Sequence, residues 1–140
     1  MITLLIIADD FTGALDTGVQ FAAAGTVVRV VTDIRYDYRK ADEGVRVLVM
    51  DAETRHLDSR DAYEVVWNIT KRAMGCGIPF IYKKTDSALR GNIGSELTAL
   101  LDASGQDILP FIPAFPQMGR TTREGIHYIN DVPVKDSVFG

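Results

Sequence analysis

The stretch Asp9-Asp10-Phe11-Thr12-Gly13-Ala14 decides how this chain is organised. It follows the apolar run Ile2–Ala8, which predicts a strand buried on both faces, and it precedes a segment with helical spacing. Two adjacent carboxylates at the end of a buried strand are not packing residues. A Thr-Gly pair at a helix N-terminus leaves backbone N–H groups free to meet an anion or a polar ligand. The stretch predicts an acidic turn, a helix capped by Thr12, and a ligand site around that turn.

Apolar runs alternate with segments of helical spacing along the 140 residues. A polar loop with one short helical turn is predicted between residues 32 and 44, a Pro/Gly-rich loop between 113 and 122, and a small hairpin around Asn130-Asp131. This alternation predicts one α/β domain with a mainly parallel sheet and helices on both faces, Rossmann-like or flavodoxin-like. The predicted strands are Ile2–Ala8, Thr26–Val31, Val45–Met50, Pro79–Tyr82 and Asp107–Ile112, and the predicted helices are Gly13–Ala24, Arg60–Met74 (capped by Asp58 or Ser59) and Asn92–Leu101.

The polar residues concentrate where the predicted strands end. In open parallel sheets, ligands bind outside the carboxyl ends of the strands. The first loop there brings the carboxylates of Asp9 and Asp10, whereas the turn after the fourth strand brings cations and hydroxyl groups. Such a pair of loops suits a small ligand that carries an acid group and hydroxyls, with Lys84 or Arg90 pairing with the acid and an aspartate accepting, or deprotonating, a hydroxyl. The polar residues of the second loop are Lys83, Lys84, Thr85, Asp86, Ser87 and Arg90.

Each of these features also has a purely structural interpretation. Asp9-Asp10 fits a solvated turn with a helix cap, and Lys83-Lys84 fits a solvated strand end. Thr85-Asp86-Ser87 fits a capping turn for the third helix. His56 and His127 are isolated and show no metal-ligand spacing, so no metal site is predicted.

Composition excludes several classes of protein. The net charge of −4 gives no electrostatic footprint for nucleic acid. The apolar N-terminus is too short to span a bilayer and lacks a basic region before it, so neither a membrane anchor nor a signal peptide is predicted. The single cysteine, Cys76, fits a reducing compartment, which favours the cytoplasm. No P-loop, no Gly-x-Gly-x-x-Gly after the first strand and no Gly-x-Ser-x-Gly elbow is present.

Three motifs together resemble the N-terminal part of the four-carbon acid sugar kinases, the tetronate kinases. The first is Ala8-Asp9-Asp10-Phe11-Thr12-Gly13-Ala14. The second runs from Tyr82 through Lys84-Thr85-Asp86-Ser87 and Arg90-Gly91 to Gly94. The third is Pro113-Ala114-Phe115-Pro116-Gln117-Met118-Gly119-Arg120-Thr121-Thr122. They follow the family's order and span nearly the whole chain.

The resemblance implies an ATP-dependent kinase that converts threonate, erythronate or a 3-oxo-tetronate into its 4-phosphate. It implies that the N-terminal domain holds the acid sugar and that a C-terminal domain holds ATP with Mg²⁺. Asp9 and Asp10 would act at the sugar hydroxyls. The resemblance does not decide which of the two is the base. The implied substrate-binding residues are Thr12, Gly13, Lys84, Thr85, Asp86, Ser87, Arg90, Gly91 and Arg120.

The chain departs from the family's pattern in three places. Ala88 replaces a frequent threonine, and Ile129-Asn130-Asp131 replaces a segment that often carries a glycine. The chain also stops at Gly140, so we expect residues 1–140 to be an incomplete acid-sugar-binding domain, inactive without the ATP-binding domain or a partner chain that carries it. An incomplete domain with an uncovered sheet edge favours homo-oligomers.

Two alternatives come from other classes of protein. A receiver-like phosphoacceptor domain would use Asp9-Asp10, with Asp51 as the phosphorylated residue and Thr85 as the hydroxyl residue after the fourth strand. That interpretation lacks a lysine at the end of the fifth strand and leaves the Lys-Lys-Thr-Asp-Ser turn unexplained. The second alternative is a ligand-binding or assembly module without catalysis.

Overall fold

The computed structural model describes residues 1–140, which form a four-stranded parallel sheet, three α-helices and a small antiparallel sheet. The first half contains β1 (Leu4–Ala8), α1 (Phe11–Ala23), β2 (Val28–Val31), β3 (Val47–Asp51) and α2 (Ser59–Gly75). The second half contains β4 (Phe80–Lys84), α3 (Ile93–Ser104), β5 (Arg120–Arg123), β6 (Ile126–Ile129) and β7 (Val132–Pro133). Three 3₁₀ turns lie at Tyr38–Lys40, Pro116–Met118 and Val134–Asp136.

The parallel sheet has the strand order β2-β3-β1-β4. Alternate residues of β1 enter two apolar clusters, because successive side chains of a strand point to opposite faces. Leu5 and Ile7 pack with residues of α2 and α3, while Ile6 and Ala8 pack with Ala14 of α1. Helices therefore cover both faces, as the sequence predicts. α1 leaves β1 on one face and α2 leaves the adjacent β3 on the other, an arrangement that opens a crevice at the carboxyl ends.

The register aligns the carboxyl ends of the three strands that carry charged residues. Ala8 of β1 pairs with Asp51 of β3 on one side and with Lys84 of β4 on the other. The loops that follow these strands therefore begin at one level, side by side. Shared register is the reason that residues distant in sequence meet at this edge.

The N-terminus of α1 corrects one prediction. The helix begins at Phe11, and its N-cap is Asp10, whose Oδ1 accepts a hydrogen bond of 2.8 Å from the backbone N–H of Gly13. Thr12 is not the cap, since it lies exposed within the first turn. A carboxylate is as good an N-cap as a hydroxyl and also complements the helix dipole, so the earlier acidic residue takes the position.

The C-terminal third holds the main error. The predicted strand Asp107–Ile112 is absent, and these residues have no strand partner. Ile108 and Ile112 are each 82% exposed, and Pro110, which has no backbone N–H to donate, interrupts the run. The predicted loop 113–122 contains the start of β5, while the hairpin around Asn130-Asp131 is confirmed as the β6–β7 turn.

Candidate functional site

Three loops meet at the carboxyl ends of β1, β3 and β4. They contribute Asp9 and Asp10, Arg55, and Asp86 with Arg90. Their charged side chains form a connected set of ion pairs, which we call the carboxylate cluster: Asp9, Asp10, Arg55, Asp86 and Arg90. The sequence predicts four of the five, but not Arg55.

Arg55 occupies the centre of the carboxylate cluster. Its Nε lies 2.7 Å from Asp9 Oδ2 and its Nη1 lies 2.6 Å from Asp10 Oδ2. Its Nη2 lies 3.9 Å from Asp86 Oδ1. Burial disfavours the charged form of Arg55, but the hydrogen bond that it donates to Asp9 and the charges of the three carboxylates outweigh this effect and raise the arginine's pKa. The guanidinium is therefore a fixed positive charge that joins the β1 loop to the β4 turn.

Asp86 is held by a second arginine within its own turn. Arg90 donates from Nε to Asp86 Oδ2 at 2.7 Å and from Nη2 to Asp86 Oδ1 at 2.9 Å, a bidentate pair. Burial alone raises the pKa of Asp86, but the hydrogen bonds from Arg90 and the charges of Arg90 and Arg55 lower it to about 2. Asp86 is thus a carboxylate at neutral pH, and its two oxygens organise the turn.

The two neighbouring lysines at the end of β4 have different environments. Lys83 points to the α3 side, where its Nζ lies 2.7 Å from Glu96 Oε2 inside the protein. Lys84 points to the α1 side, where a Cβ on Gly13 would lie 3.4 Å from its Nζ. Lys84 Nζ donates to the carbonyl oxygen of Thr85 at 2.6 Å and has no carboxylate within ion-pair distance. Lys84 is therefore an ammonium group beside the positive end of α1, without a counter-ion.

The remaining predicted residues, apart from Arg120, lie in the first turn of α1 or in the β4 turn. Thr12 and Gly13 form the first turn of α1, and Thr85 accepts from Lys84. Ser87 offers its carbonyl oxygen to His127 Nε2 at 2.7 Å. Gly91, with φ of +91°, packs on Arg55. Arg120 donates to the carbonyl oxygen of Met118 at 2.8 Å and forms no hydrogen bond or ion pair with the three loops.

His127 joins the small sheet to the β4 turn, a contact that sequence reasoning missed. A carbonyl oxygen only accepts, so His127 Nε2 donates to Ser87, and Nδ1 lies within hydrogen-bond distance of Thr122 Oγ1, at 2.9 Å. An isolated histidine in a short β-prone segment gave no signal of this role. Arg55 was missed for a similar reason, because a lone arginine after a strand resembles an ordinary surface residue.

Asp51 lies at the end of β3 and is 2% exposed. Burial raises its pKa to about 6, and the neighbouring charges of Glu53 and Asp10 add to this. Its Oδ1 accepts from the backbone N–H of Glu53 at 3.3 Å. The residue that a receiver-like domain would phosphorylate is therefore a buried carboxyl group that accepts a hydrogen bond from its own loop.

No group of three or more His, Cys, Asp and Glu side chains is arranged to hold a metal ion. The carboxylates of the cluster are instead engaged by Arg55 and Arg90, so these residues do not fit Mg²⁺. None of the helices has both the length and the apolar character that crossing a bilayer requires.

The fold is that of an α/β domain whose charged loops meet at the carboxyl ends of parallel strands, a class of architecture that binds small ligands there. Residues 4–140 match the model of a family described as the sugar-binding N-terminal domain, and the chain belongs to that family.

Curated relatives are named D-threonate kinase, D-erythronate kinase and 3-oxo-tetronate kinase. The D-threonate kinase of Salmonella typhimurium is 39% identical over 97% of this chain and 32% of its own length. The D-erythronate kinase of Heliobacterium modesticaldum is 32% identical over 98% of this chain and 31% of its own length. The chain thus spans about a third of the length of these relatives.

The fold also matches a crystal structure from Bordetella bronchiseptica. That protein is described as a domain of unknown function with bound citrate and as a domain-swapped dimer. It is 35% identical, with a TM-score of 0.86 over 97% of this chain and 35% of that chain. The family inferred from the three motifs and the α/β fold predicted from the alternation of strands and helices are therefore confirmed.

Proposed function

We propose that this chain binds a four-carbon acid sugar (threonate, erythronate or 3-oxo-tetronate) and serves as the acid-sugar-binding part of an ATP-dependent kinase that forms the 4-phosphate. ATP and Mg²⁺ would be bound by a C-terminal domain or partner chain. Membership of the sugar-binding family and the names of the relatives support this proposal. A cytoplasmic location belongs to the same proposal, since free Cys76 suits a reducing compartment.

The observation that carries the proposal is Lys84. Its ammonium group lies beside the first turn of α1 without a carboxylate partner, whereas every side chain of the carboxylate cluster is paired. The N-terminal end of α1 adds a second partial positive charge at the same place. A ligand carboxylate would satisfy both, and the acidic pair lies next to it to accept hydroxyl hydrogens.

These charges assign different roles in ligand binding to Lys84 and to the two aspartates. The acid group of the sugar pairs with Lys84, so that the hydroxyl groups face Asp9 and Asp10. Phosphoryl transfer depends mainly on positioning and on neutralising charge, and this chain would supply the positioning of the sugar. A carboxylate that accepts the proton of the attacking hydroxyl would make that oxygen nucleophilic. Thr12, Gly13, Thr85, Ser87, Gly91 and Arg120 would complete the pocket walls.

The binding of the acid sugar is tested by calorimetric titration. The chain is titrated with D-threonate, L-threonate and D-erythronate, in parallel with Lys84→Met and the control Lys40→Met, whose side chain is exposed on another loop. We expect saturable binding of one of the three sugars, weakened about tenfold or more in Lys84→Met because a charged hydrogen bond is lost, and unchanged in the control. Equal binding by Lys84→Met contradicts the assignment of the carboxylate subsite. Absence of binding by the folded wild-type chain contradicts the proposal for this chain.

Self-association is a further part of the proposal. β4 is an edge strand, and Phe80 and Tyr82 on its α1 side are exposed. An open edge with apolar side chains favours pairing with another copy. We propose that the chain forms homo-oligomers through this edge.

A further inference from the structure

Arg55 is largely buried and contacts both other loops of the candidate site. Its side chain is 11% exposed although it carries a full charge. Its backbone N–H donates to the carbonyl oxygen of Asp9 at 3.2 Å, and the N–H of Ala52 donates to the carbonyl oxygen of Ala8 at 2.9 Å. The main chain of the β3–α2 loop therefore follows β1 past the end of the sheet and delivers the guanidinium to the acidic pair.

The β4 turn closes over Arg55 from the other side. A Cβ on Gly91 would lie 3.2 Å from Arg55 Cγ and 3.4 Å from Arg55 Cα, so this position needs a glycine both for space and for its φ of +91°. Asn92 Nδ2 donates to the carbonyl oxygens of Thr54 at 3.1 Å and Leu57 at 2.8 Å. Arg55 is therefore fixed at its backbone, along its aliphatic stem and at its charged end.

Asp9 and Asp10 both accept a hydrogen bond from Arg55, but they differ in what the second carboxylate oxygen contacts. Asp10 uses both oxygens, one for Arg55 and one for the N–H of Gly13. Asp9 gives Oδ2 to Arg55, while its Oδ1 is buried and has no hydrogen-bond partner. A buried carboxylate oxygen without a donor carries an uncompensated desolvation cost, so a donor is expected there.

We propose that Arg55 is the positioning residue of the acid-sugar site, and that it orients Asp9 so that Oδ1 accepts a hydroxyl group of the ligand. The proposal rests on the proposed function and decides between the two aspartates. Asp9 receives the hydroxyl, and Asp10 supports the helix and the arginine. The planar fork of Arg55 binds two carboxylates in fixed directions, whereas a lysine at this position supplies the charge without the directions.

The test distinguishes the positive charge of Arg55 from the fixed directions of its hydrogen bonds. Arg55→Lys, Arg55→Gln and the control Arg60→Gln, an exposed residue of α2, are compared for thermal unfolding and for calorimetric binding of the acid sugar that binds the wild-type chain best. We expect Arg55→Lys to retain a cooperative unfolding transition and to bind at least about tenfold more weakly, as expected for loss of charge-assisted hydrogen bonds. Arg55→Lys that binds like wild type overturns the positioning role.

Two further variants test the assignment of Asp9. Asp9→Asn and Asp10→Asn keep the shape of the side chain, and we expect binding to fall more in Asp9→Asn. Equal or greater loss in Asp10→Asn overturns the assignment, as does unchanged binding by Asp9→Asn.

A measurement without ligand keeps the inference independent of the proposed function. NMR exchange of the Arg55 Nε–H with water reports its bond to Asp9, and we expect slow exchange in the wild-type chain and fast exchange in Asp9→Ala. Fast exchange in the wild-type chain overturns the contact itself and hence the inference. If exchange is slow but the chain binds no acid sugar, the hydrogen bond between Arg55 and Asp9 is supported. The role of Arg55 in sugar binding is then overturned, and the result also counts against the proposed function.

Discussion

Gly13 and Gly18 lie one turn and a half apart in α1 but meet different surroundings. A Cβ on Gly13 would lie 2.7 Å from Asp10 Oδ1, the oxygen that caps the helix. A Cβ on Gly18 would meet only valine methyl groups, the nearest at 3.4 Å. We expect Gly13→Ala to displace the cap at a cost of up to about 2 kcal/mol, so that the free energy of unfolding falls even after alanine's gain in helix propensity of about 0.5–1 kcal/mol. Gly18→Ala is the matched control, for which alanine's helix propensity, about 0.5–1 kcal/mol, offsets the tight contact. Urea unfolding of the two variants checks this, and equal losses contradict the role of the cap.

Asp51 makes the stability of the folded protein depend on pH in the direction opposite to the effect of Asp86. Because burial raises the pKa of Asp51 to about 6, the folded state binds its proton more tightly than the unfolded state, and this contribution to stability is lost as the pH rises from about 4 to about 6. Asp51→Asn removes the charge and retains an oxygen for the N–H of Glu53. We expect the variant to be more stable than wild type at pH 8 by on the order of 2 kcal/mol, and nearly equal to it at pH 4.

Asp86 contributes to the stability of the folded state over a different range of pH. Its pKa of about 2 lies below its unfolded value, so its contribution is present at neutral pH and is lost as the pH falls from about 4 to about 2. Chemical unfolding of wild type and Asp51→Asn from pH 3 to pH 8 therefore isolates the Asp51 contribution above pH 4. A difference between the two proteins that stays constant with pH contradicts the assignment to Asp51.

Residue chemistry alone led to the location of the site but not to its central contact. Asp9, Asp10, Asp86 and Arg90 stood out because they cluster in two loops after predicted strands. Arg55 did not, since its role depends on a loop conformation that carries its backbone along Asp9 and under Gly91. The periodicity of apolar residues along the sequence does not predict such a contact between loops.

At the scale of elements, β4 and α3 are joined by a buried ion pair. Lys83 Nζ lies 2.7 Å from Glu96 Oε2, and both side chains are 1% exposed. Removing one partner leaves an uncompensated buried charge, so we expect Lys83→Met to lower the free energy of unfolding by about 3–5 kcal/mol. The double variant Lys83→Met/Glu96→Leu should recover most of this loss, since an apolar pair of similar volume replaces the ions.

The neighbouring lysine supplies the control for this pair. Lys84 contacts only the carbonyl oxygen of Thr85 among the hydrogen-bond acceptors, so we expect Lys84→Met to cost little stability while it weakens binding. Denaturant unfolding measures the stabilities. A double variant as unstable as Lys83→Met contradicts the explanation by an unpaired charge.

The elements also show where a sequence pattern fails. β1, β3 and β4 were predictable because each is an apolar run that ends at or just before a charged residue, and the parallel sheet supplies its partners. The run Asp107–Ile112 is also mostly apolar, but it contains Pro110 and has no adjacent strand. Apolar content predicts that a segment favours burial, and only the neighbouring strands decide whether it pairs.

For the whole molecule, the faces of the sheet are covered unequally at β4. α2 and α3 cover one face, while on the other Phe80 is 63% exposed and Tyr82 is 46% exposed. Along α1, the apolar side chains of Phe11, Leu15 and Val19 are also exposed at helical spacing. The outer edge of β4 has no strand partner. Exposed apolar side chains and unpaired backbone groups therefore coincide on the flank formed by β4.

This flank predicts that the chain self-associates as its concentration rises. A lysine at an edge strand opposes pairing with another copy because it must be desolvated. We expect Phe80→Lys to shift the sedimentation coefficient towards that of a monomer at concentrations where the wild-type chain is larger. Val138→Lys, at a position 92% exposed near the C-terminus, adds the same charge elsewhere and should behave like wild type. A wild-type chain that remains monomeric over the whole range, or a Phe80→Lys variant that associates equally, contradicts the role of the β4 edge, provided that both variants unfold cooperatively.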